Sequence, residues 1–274
     1  MTQLQDLVSV GPATLKDFSV LGITSVKQLA KMNAHALFKR LCQLTGHEHD
    51  PCVEDVFAAA IAQARDPYLP DEQKQWHYWS HLRKQRPVRC AWVPIGNTLH
   101  EHYHDTEWGV PIHDDQRLFE FLILEGAQAG LSWETILKRR SGYREAFAHF
   151  NWEQVAQFTP HTIEKLMLNP EIIRNRAKIE STVLNAQCFS ELRKEYGTFD
   201  AYLWAYVGNK TLQPHIKSFK QVPSSTPEAQ ALSRDLVKRG FKFVGPTILY
   251  AFMQAVGMTN DHTTDCFRYR QLVK

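Results

Sequence analysis

The sequence predicts an all-α protein on three observations. Apolar residues recur at helical spacing along the whole chain, Gly and Pro punctuate the runs, and strand-like alternation is nearly absent. Between residues 4 and 64 the runs LVSVGPATLKDFSVLGI, SVKQLAKMNAHALFKRLCQL and PCVEDVFAAAIAQA supply four or five short helices. Residues 65–88, RDPYLPDEQKQWHYWSHLRKQRPV, are polar, Pro-bounded and poor in aliphatics. A domain boundary is expected there, with a first domain over 1–70, a linker over 71–88 and a second domain over 89–274. Helical segments then resume as DDQRLFEFLILEGAQAG, SWETILKRRSGYREAFAHF, NWEQVAQF, PHTIEKLML, NRAKIESTVLNAQCFSELRKEYG, FDAYLWAYV, PEAQALSRDLVKRG and GPTILYAFMQAVG.

Composition bounds the function classes. The 274 residues are 43% apolar and 22% charged, ordinary for a globular chain with a sizeable core. The net charge of +3 is spread over both domains, with ten basic against nine acidic residues up to residue 88 and 22 against 20 after it. Such a balance permits a nucleic-acid partner without requiring one. No run of about 18 apolar residues occurs and MTQLQDLVSV lacks a signal-peptide pattern, so a soluble, cytoplasmic protein with no membrane partner is expected. Five widely spaced Cys argue against a disulfide framework and leave thiols free to bind metal.

One internal echo stands out. Val10-Gly11-Pro12 and Val244-Gly245-Pro246 each open about ten helical residues ending at a Gly, Gly22 or Gly257. Gly then Pro at a helix start lets the turn pass close to a neighbour and leaves first-turn N–H groups unpaired, which suits a hairpin that holds a DNA phosphate and equally suits a plain helix cap. Lys242, flanked by Phe241 and Phe243, favours the phosphate reading for the second copy.

The segment from Cys90 to Trp133 is dense in chemistry-bearing residues. His262 and Cys266, four apart, share a face of a helix or tight turn; Cys90 and His104, with thirteen residues between them, could complete a tetrahedral set. Four protein ligands would leave no open position and so imply a structural metal, although isolated His and Cys are commonly just packed. Trp92, Tyr103, Trp108 and Trp133 are candidate core residues or flat faces for a flipped base. Glu125 follows the apolar FEFLIL, where a carboxyl would be partly buried and must serve either as a hydrogen-bond hub or as a site residue. Cys42, His47, His49 and Cys52 also mimic metal spacing, but Thr45-Gly46 and Asp50-Pro51 read better as the end of one helix and the cap of the next.

The motifs RCAW, YHDTEWGVP, LFEFLILEGAQAGLSWETILKRR, IIRNRAKI and KRGFKFVGPTILYAFMQAVGMTNDH, closed by Cys266, resemble DNA-3-methyladenine glycosylase I, the Tag type, from residue 89 to about 268. That resemblance implies a helix-hairpin-helix DNA glycosylase domain with one structural Zn²⁺ on Cys90, His104, His262 and Cys266. It implies a base pocket in which Trp92 and Trp133 enclose the purine and Tyr103 and Glu125 bond its edge, with Glu125 the catalytic residue and Trp108 an added pocket residue. Leu131 would enter the base stack, and Lys242, Val244, Gly245 and Thr247 would hold DNA phosphates. Ala251 departs from the small polar residue expected there. Residues 4 to about 85 resemble a small helix-hairpin-helix module of the pathogenicity-locus or mitomycin-resistance type, also found at the end of TfoX-type competence regulators; VGPATLKDFSVLGITSVKQLA, LCQLTG, HDPCVEDVFAAAI and WHYW carry that match, with Gly11 at its hairpin. The expectation is a monomeric, monofunctional enzyme that excises 3-methyladenine from alkylated double-stranded DNA, preceded by a module that adds DNA contacts. The rival classes are a non-catalytic DNA-binding protein and a zinc-dependent hydrolase.

Overall fold

A computed structural model describes residues 3–273, which divide between Pro87 and Val88 into two compact units. Among the described residues every regular element is helical, apart from one isolated bridge between Leu212 and Thr259.

The first unit carries α1 (Pro12–Val20), α2 (Val26–Leu29), α3 (Ala34–Thr45), α4 (Cys52–Arg65) and α5 (Trp76–Gln85). Phe18 of α1 and Phe57 of α4, both fully buried, stack at 5.3 Å between centroids and anchor a core with Leu29, Leu41 and Ile61. Helix α3 ends where Gly46 turns left-handed at φ 74°, and Asp50 accepts from Cys52 N–H at 2.7 Å to start α4. His49 Nε2 pairs with Thr45 Oγ1 at 2.8 Å and His47 Nδ1 with Thr45 O at 3.2 Å, so these histidines serve that turn. They form no ligand cluster with Cys42 and Cys52.

Residues 71–88 are not the free linker that their polarity suggested. A 3₁₀ turn over Asp71–Lys74 leads into α5, which packs on α4. The reason is charge pairing where aliphatics are scarce. Arg83 holds the buried Asp55 with two bonds of 2.8 and 3.0 Å, and Glu54 takes both His35 at 2.9 Å and Arg86 at 3.3 Å. Buried carboxylates need such partners. Arg83 and Arg86 of this segment are therefore counter-ions of α4.

The second unit comprises α6 (Thr98–Thr106), α7 (Asp115–Gln128), α8 (Trp133–Leu137), α9 (Arg140–Ala146), α10 (Trp152–Val155), α11 (Pro160–Met167), α12 (Arg176–Tyr196), α13 (Phe199–Trp204), α14 (Pro227–Lys238), α15 (Pro246–Ala255) and α16 (Phe267–Leu272). Helix α7 is its axis. Every residue from Leu118 to Ala127 is buried, as expected of a helix packed on all sides, here by α8, α12, α13 and α15. Two of the residues on this helix are glutamates. Glu120 is neutralised by Arg140 at 2.7 Å and Arg144 at 2.9 Å, whereas Glu125 has no ion pair or hydrogen bond among the described residues. The end of α15 is stitched to the 109–112 segment by Gly109 N–H to Gln254 O and Ile112 N–H to Val256 O, both 3.1 Å. A Cβ on Gly257 would lie 2.4 Å from Pro111 N, so only glycine fits that crossing, and its φ of +75° also requires one.

Candidate active site and metal centre

The metal candidates converge from opposite ends of the second unit. Cys90 precedes α6, His104 lies in the last turn of α6, and His262 and Cys266 belong to the turn before α16. All four are buried, and their donor atoms lie within 4.8 Å of one another. Cys266 Sγ is 3.4 Å from His104 Nε2 and 3.5 Å from His262 Nδ1, which is also 3.5 Å from Cys90 Sγ. A tetrahedral centre with Zn–S bonds of ~2.3 Å and Zn–N bonds of ~2.0 Å has edges of about 3.3–3.8 Å, so the three contacts of 3.4–3.5 Å suit one ion. The other nitrogen of each ring is already held, His104 Nδ1 by Asp105 at 2.8 Å and His262 Nε2 by the Trp108 carbonyl at 3.0 Å. Those partners leave the ligating nitrogens as acceptors toward the cluster. Arg89 in turn clamps Asp105 at 2.6–3.0 Å. The hydrogen bond from the Cys90 thiol pulls the Cys266 thiol far below its ordinary range and pushes Cys90 up.

Trp92 also adjoins a second aromatic group, made with Tyr103 and Trp133. Trp92 and Trp133 are half-buried and Tyr103 is buried; ring centroids are 6.4 Å apart for Trp92 and Tyr103 and 5.4 Å for Tyr103 and Trp133. Burial alone pushes the Glu125 carboxyl up to about 8. Burial, and then the charge of Glu125, raises the Tyr103 phenol well above its ordinary value, so the two groups sense each other. The indole nitrogens of both Trp92 and Trp133 are buried without a hydrogen-bond partner. Among the described residues, two orphaned N–H donors, an unpaired phenol and an unpaired carboxyl thus occur on four residues of one region. Protein interiors seldom leave such groups unmet unless a ligand meets them.

Trp108 lies against Trp92 and both candidate histidine ligands. It stacks on His104 at 6.2 Å, meets His262 edge-on at 4.6 Å and Trp92 at 5.0 Å, and so connects the two sites. Leu131 stands 39% exposed on the turn from α7 to α8, beside Gly130 at φ +77°. Asp261, which could orient His262 or cap a turn, accepts from Tyr250, from Gln254 at 2.6 Å and from Thr259 at 2.7 Å, bracing the chain just before the ligand.

The second hairpin joins α14 to α15. Lys242 and Thr247 are exposed, whereas the Val244 side chain is buried and its carbonyl accepts from Ser233 at 2.7 Å. A Cβ on Gly126 would sit 3.2 Å from Phe243 Cβ, so this hairpin packs directly on α7 beside Glu125. Gly245 begins α15 without a side-chain cap, as Gly11 does for α1, and open space surrounds the position of a Cβ on each. The echo extends beyond the sequence motif. Two residues before each glycine the backbone is left-handed, at Ser9 (φ 69°) and Phe243 (φ 55°). Three residues before it, a buried amide side chain brackets the backbone. Asn185 binds N–H and C=O of Lys242 at 2.8 and 2.9 Å, and Gln63 binds those of Val8 at 2.9 and 3.0 Å.

Asn185, Gln63 and Lys178, whose ammonium reaches two backbone carbonyls at the end of α7, carry no signal in the sequence pattern beyond lying in helical runs. Only the tertiary contact reveals them.

The methyladenine glycosylase family model matches residues 92–269, and the pathogenicity locus model matches residues 1–85. The chain is 44% identical to DNA-3-methyladenine glycosylase of Haemophilus influenzae, covering 65% of this chain and 96% of that protein. It is 42% identical to DNA-3-methyladenine glycosylase 1 of Escherichia coli, over 66% and 96%. A crystal structure of 3-methyladenine DNA glycosylase I is similar at 44% identity and a TM-score of 0.64, covering 66% of this chain and 98% of its own. The Staphylococcus aureus enzyme, solved for its recognition of 3-methyladenine, is similar at 38% identity and a TM-score of 0.64, covering 65% and 95%. The mitomycin resistance protein McrB of Streptomyces lavendulae is 34% identical over 77 residues, 28% of this chain and 70% of that protein. The second unit thus matches these enzymes over nearly their full length and is all-helical like the sequence expectation: the chain belongs to the methyladenine glycosylase family.

Proposed function

We propose that this protein is a monofunctional DNA glycosylase that extrudes 3-methyladenine from alkylated double-stranded DNA and hydrolyses its glycosidic bond in base excision repair. The observation that carries the reading is the set of unmet polar groups on Trp92, Tyr103, Glu125 and Trp133, which offers flat apolar faces together with donors and one acid. Methylation at N3 gives the purine a positive charge and makes it a good leaving group. The protein therefore needs little acid catalysis. It must hold the base, orient the sugar and admit water.

Glu125 supplies discrimination. A cationic base entering the pocket replaces the missing counter-charge and lets the carboxyl ionise, whereas neutral adenine would leave either a buried charge or a neutral acid. The ionised carboxylate would also favour positive charge growing on the sugar. Trp92 and Trp133 stack on the base, and Tyr103 bonds its edge. Leu131 fills the gap in the base stack, offsetting part of the unstacking cost. Lyase chemistry is not expected, because Lys178, the lysine whose ammonium burial lowers, is tied to backbone carbonyls.

Cys90, His104, His262 and Cys266 would hold one Zn²⁺, whose chemistry when bound is structural, since four protein donors fill its coordination. The two hairpins would hold phosphates, through Lys242, Val244, Gly245 and Thr247 in the second unit and Gly11 in the first; the repeated amide bracket supports that reading for both. Among the described residues no helix is long and apolar enough to cross a membrane. A cytoplasmic monomer suits the reading.

The test is release of 3-methyladenine from methylated duplex DNA by the wild type and by Glu125→Gln. The wild type should release base and the variant should be slower by about a hundredfold. No release by the wild type would sink the enzyme reading, and an unchanged rate in the variant would remove Glu125 from the site.

A further inference from the structure

The geometry points to Lys178 as a positioning residue for nucleotide extrusion, holding the turn that carries Leu131. Helix α7 ends just after Glu125, and the chain must turn within a few residues to present Leu131 and then Trp133. The last carbonyls of a helix have no partner within it, and a lysine is well suited to bind them at the negative end of the helix dipole. Lys178, half-buried in the first turn of α12, donates to Ala127 O at 2.8 Å and to Ala129 O at 2.6 Å. One contact fixes the end of the helix and the other fixes the turn, two residues before Leu131. No carboxylate is paired with this lysine among the described residues, and burial by itself lowers its pKa. Both identified acceptors of the ammonium therefore belong to this stretch of backbone. Beyond the turn, Ser132 caps α8 through Thr135 N–H at 3.2 Å, so the wedge residue is bounded by two fixed points.

Seven residues further along α12, on the same face, Asn185 brackets Lys242 of the phosphate hairpin. A separation of seven helical residues is roughly 10 Å. One rigid helix thus ties the wedge turn and the backbone grip into a single frame. The wedge should enter the stack in register with the phosphates that hold the strand.

The inference rests on Leu131 being the wedge, and the experiment separates the two. Steady-state excision from methylated duplex DNA is measured for the wild type, Lys178→Met, Lys178→Arg, Leu131→Ala and the Lys178→Met/Leu131→Ala double variant, with the affinity of each for free 3-methyladenine. Lys178→Met should lower kcat by about tenfold with KM for DNA and free-base affinity unchanged, Lys178→Arg should recover most of the loss, and the double variant should be no slower than Leu131→Ala. A merely structural lysine would weaken free-base binding or raise KM, and either result overturns the proposal. So does a double variant whose loss is the product of the two single losses. A Leu131→Ala protein as fast as the wild type would instead remove the wedge itself.

Discussion

Glu125 is a carboxyl group that the fold keeps dry and leaves unpaired, 4% exposed with its pKa pushed up to about 8 by burial. Its pKa in the folded chain lies above the unfolded value of 4.5, so its contribution to stability is fully present below pH 4.5 and is lost as pH rises toward about 8. Glutamine at this position is equally unpaired but cannot ionise. Glu125→Gln should therefore melt like the wild type near pH 4.5 and be more stable by about 2–4 kcal/mol at pH 8, with the gap opening between those values. Thermal melts across that range check it, and a gap independent of pH would show that the carboxyl is solvated. Such a cost fits the recognition role proposed for Glu125. Its neighbour on the same helix, Glu120, has no such cost, because Arg140 and Arg144 neutralise it.

At the scale of elements, the two hairpins carry the same device on unrelated supports. Asn185 comes from a 21-residue helix of the second unit and Gln63 from a 14-residue helix of the first, yet each binds both backbone groups of the residue three before the glycine. Replacing Asn185 by leucine removes two hydrogen bonds, a cost of about 2–3 kcal/mol, and Gln63 additionally donates to the carbonyls of Ala59 and Lys74. Asn185→Leu should destabilise its own unit by that amount and Gln63→Leu its unit by at least as much. Each should also flatten the salt dependence of DNA binding by roughly one phosphate. Binding titrations over a range of salt concentrations are the measurement. A Gln63→Leu protein with an unchanged slope would show that the first hairpin touches no phosphate.

At the scale of the whole molecule, the Cys/His cluster joins residues 172 apart in sequence, Cys90 and His262, within the second unit alone. Closing so long a loop restricts the unfolded chain, and metal binding adds directly to folding free energy. Chelation, or Cys266→Ala, should lower the melting temperature of the second unit and leave that of the first unchanged. Excision should fall only as far as the folded fraction falls. Calorimetry with a parallel activity assay reads both, and an unaltered second transition would exclude a structural metal.

The sequence by itself determined the all-helical class, the two hairpins, the four metal candidates and the aromatic group around Glu125, because helical periodicity and helix punctuation are local and the motifs are specific. It also identified Asp50 and Gly46 as punctuation correctly, since caps depend on neighbours in sequence. It misread residues 71–88 as a linker because polarity there answers carboxylates buried on α4, and ion-pair partners 28 residues apart leave no local pattern. Lys178 and Asn185 were invisible for the same reason: a side chain that binds a distant backbone is chosen by where that backbone lies. The convergence of Cys90, His104, His262 and Cys266, and the absence of any partner for Glu125, were likewise decided only when the chain was packed, for burial and pairing are properties of the folded surroundings.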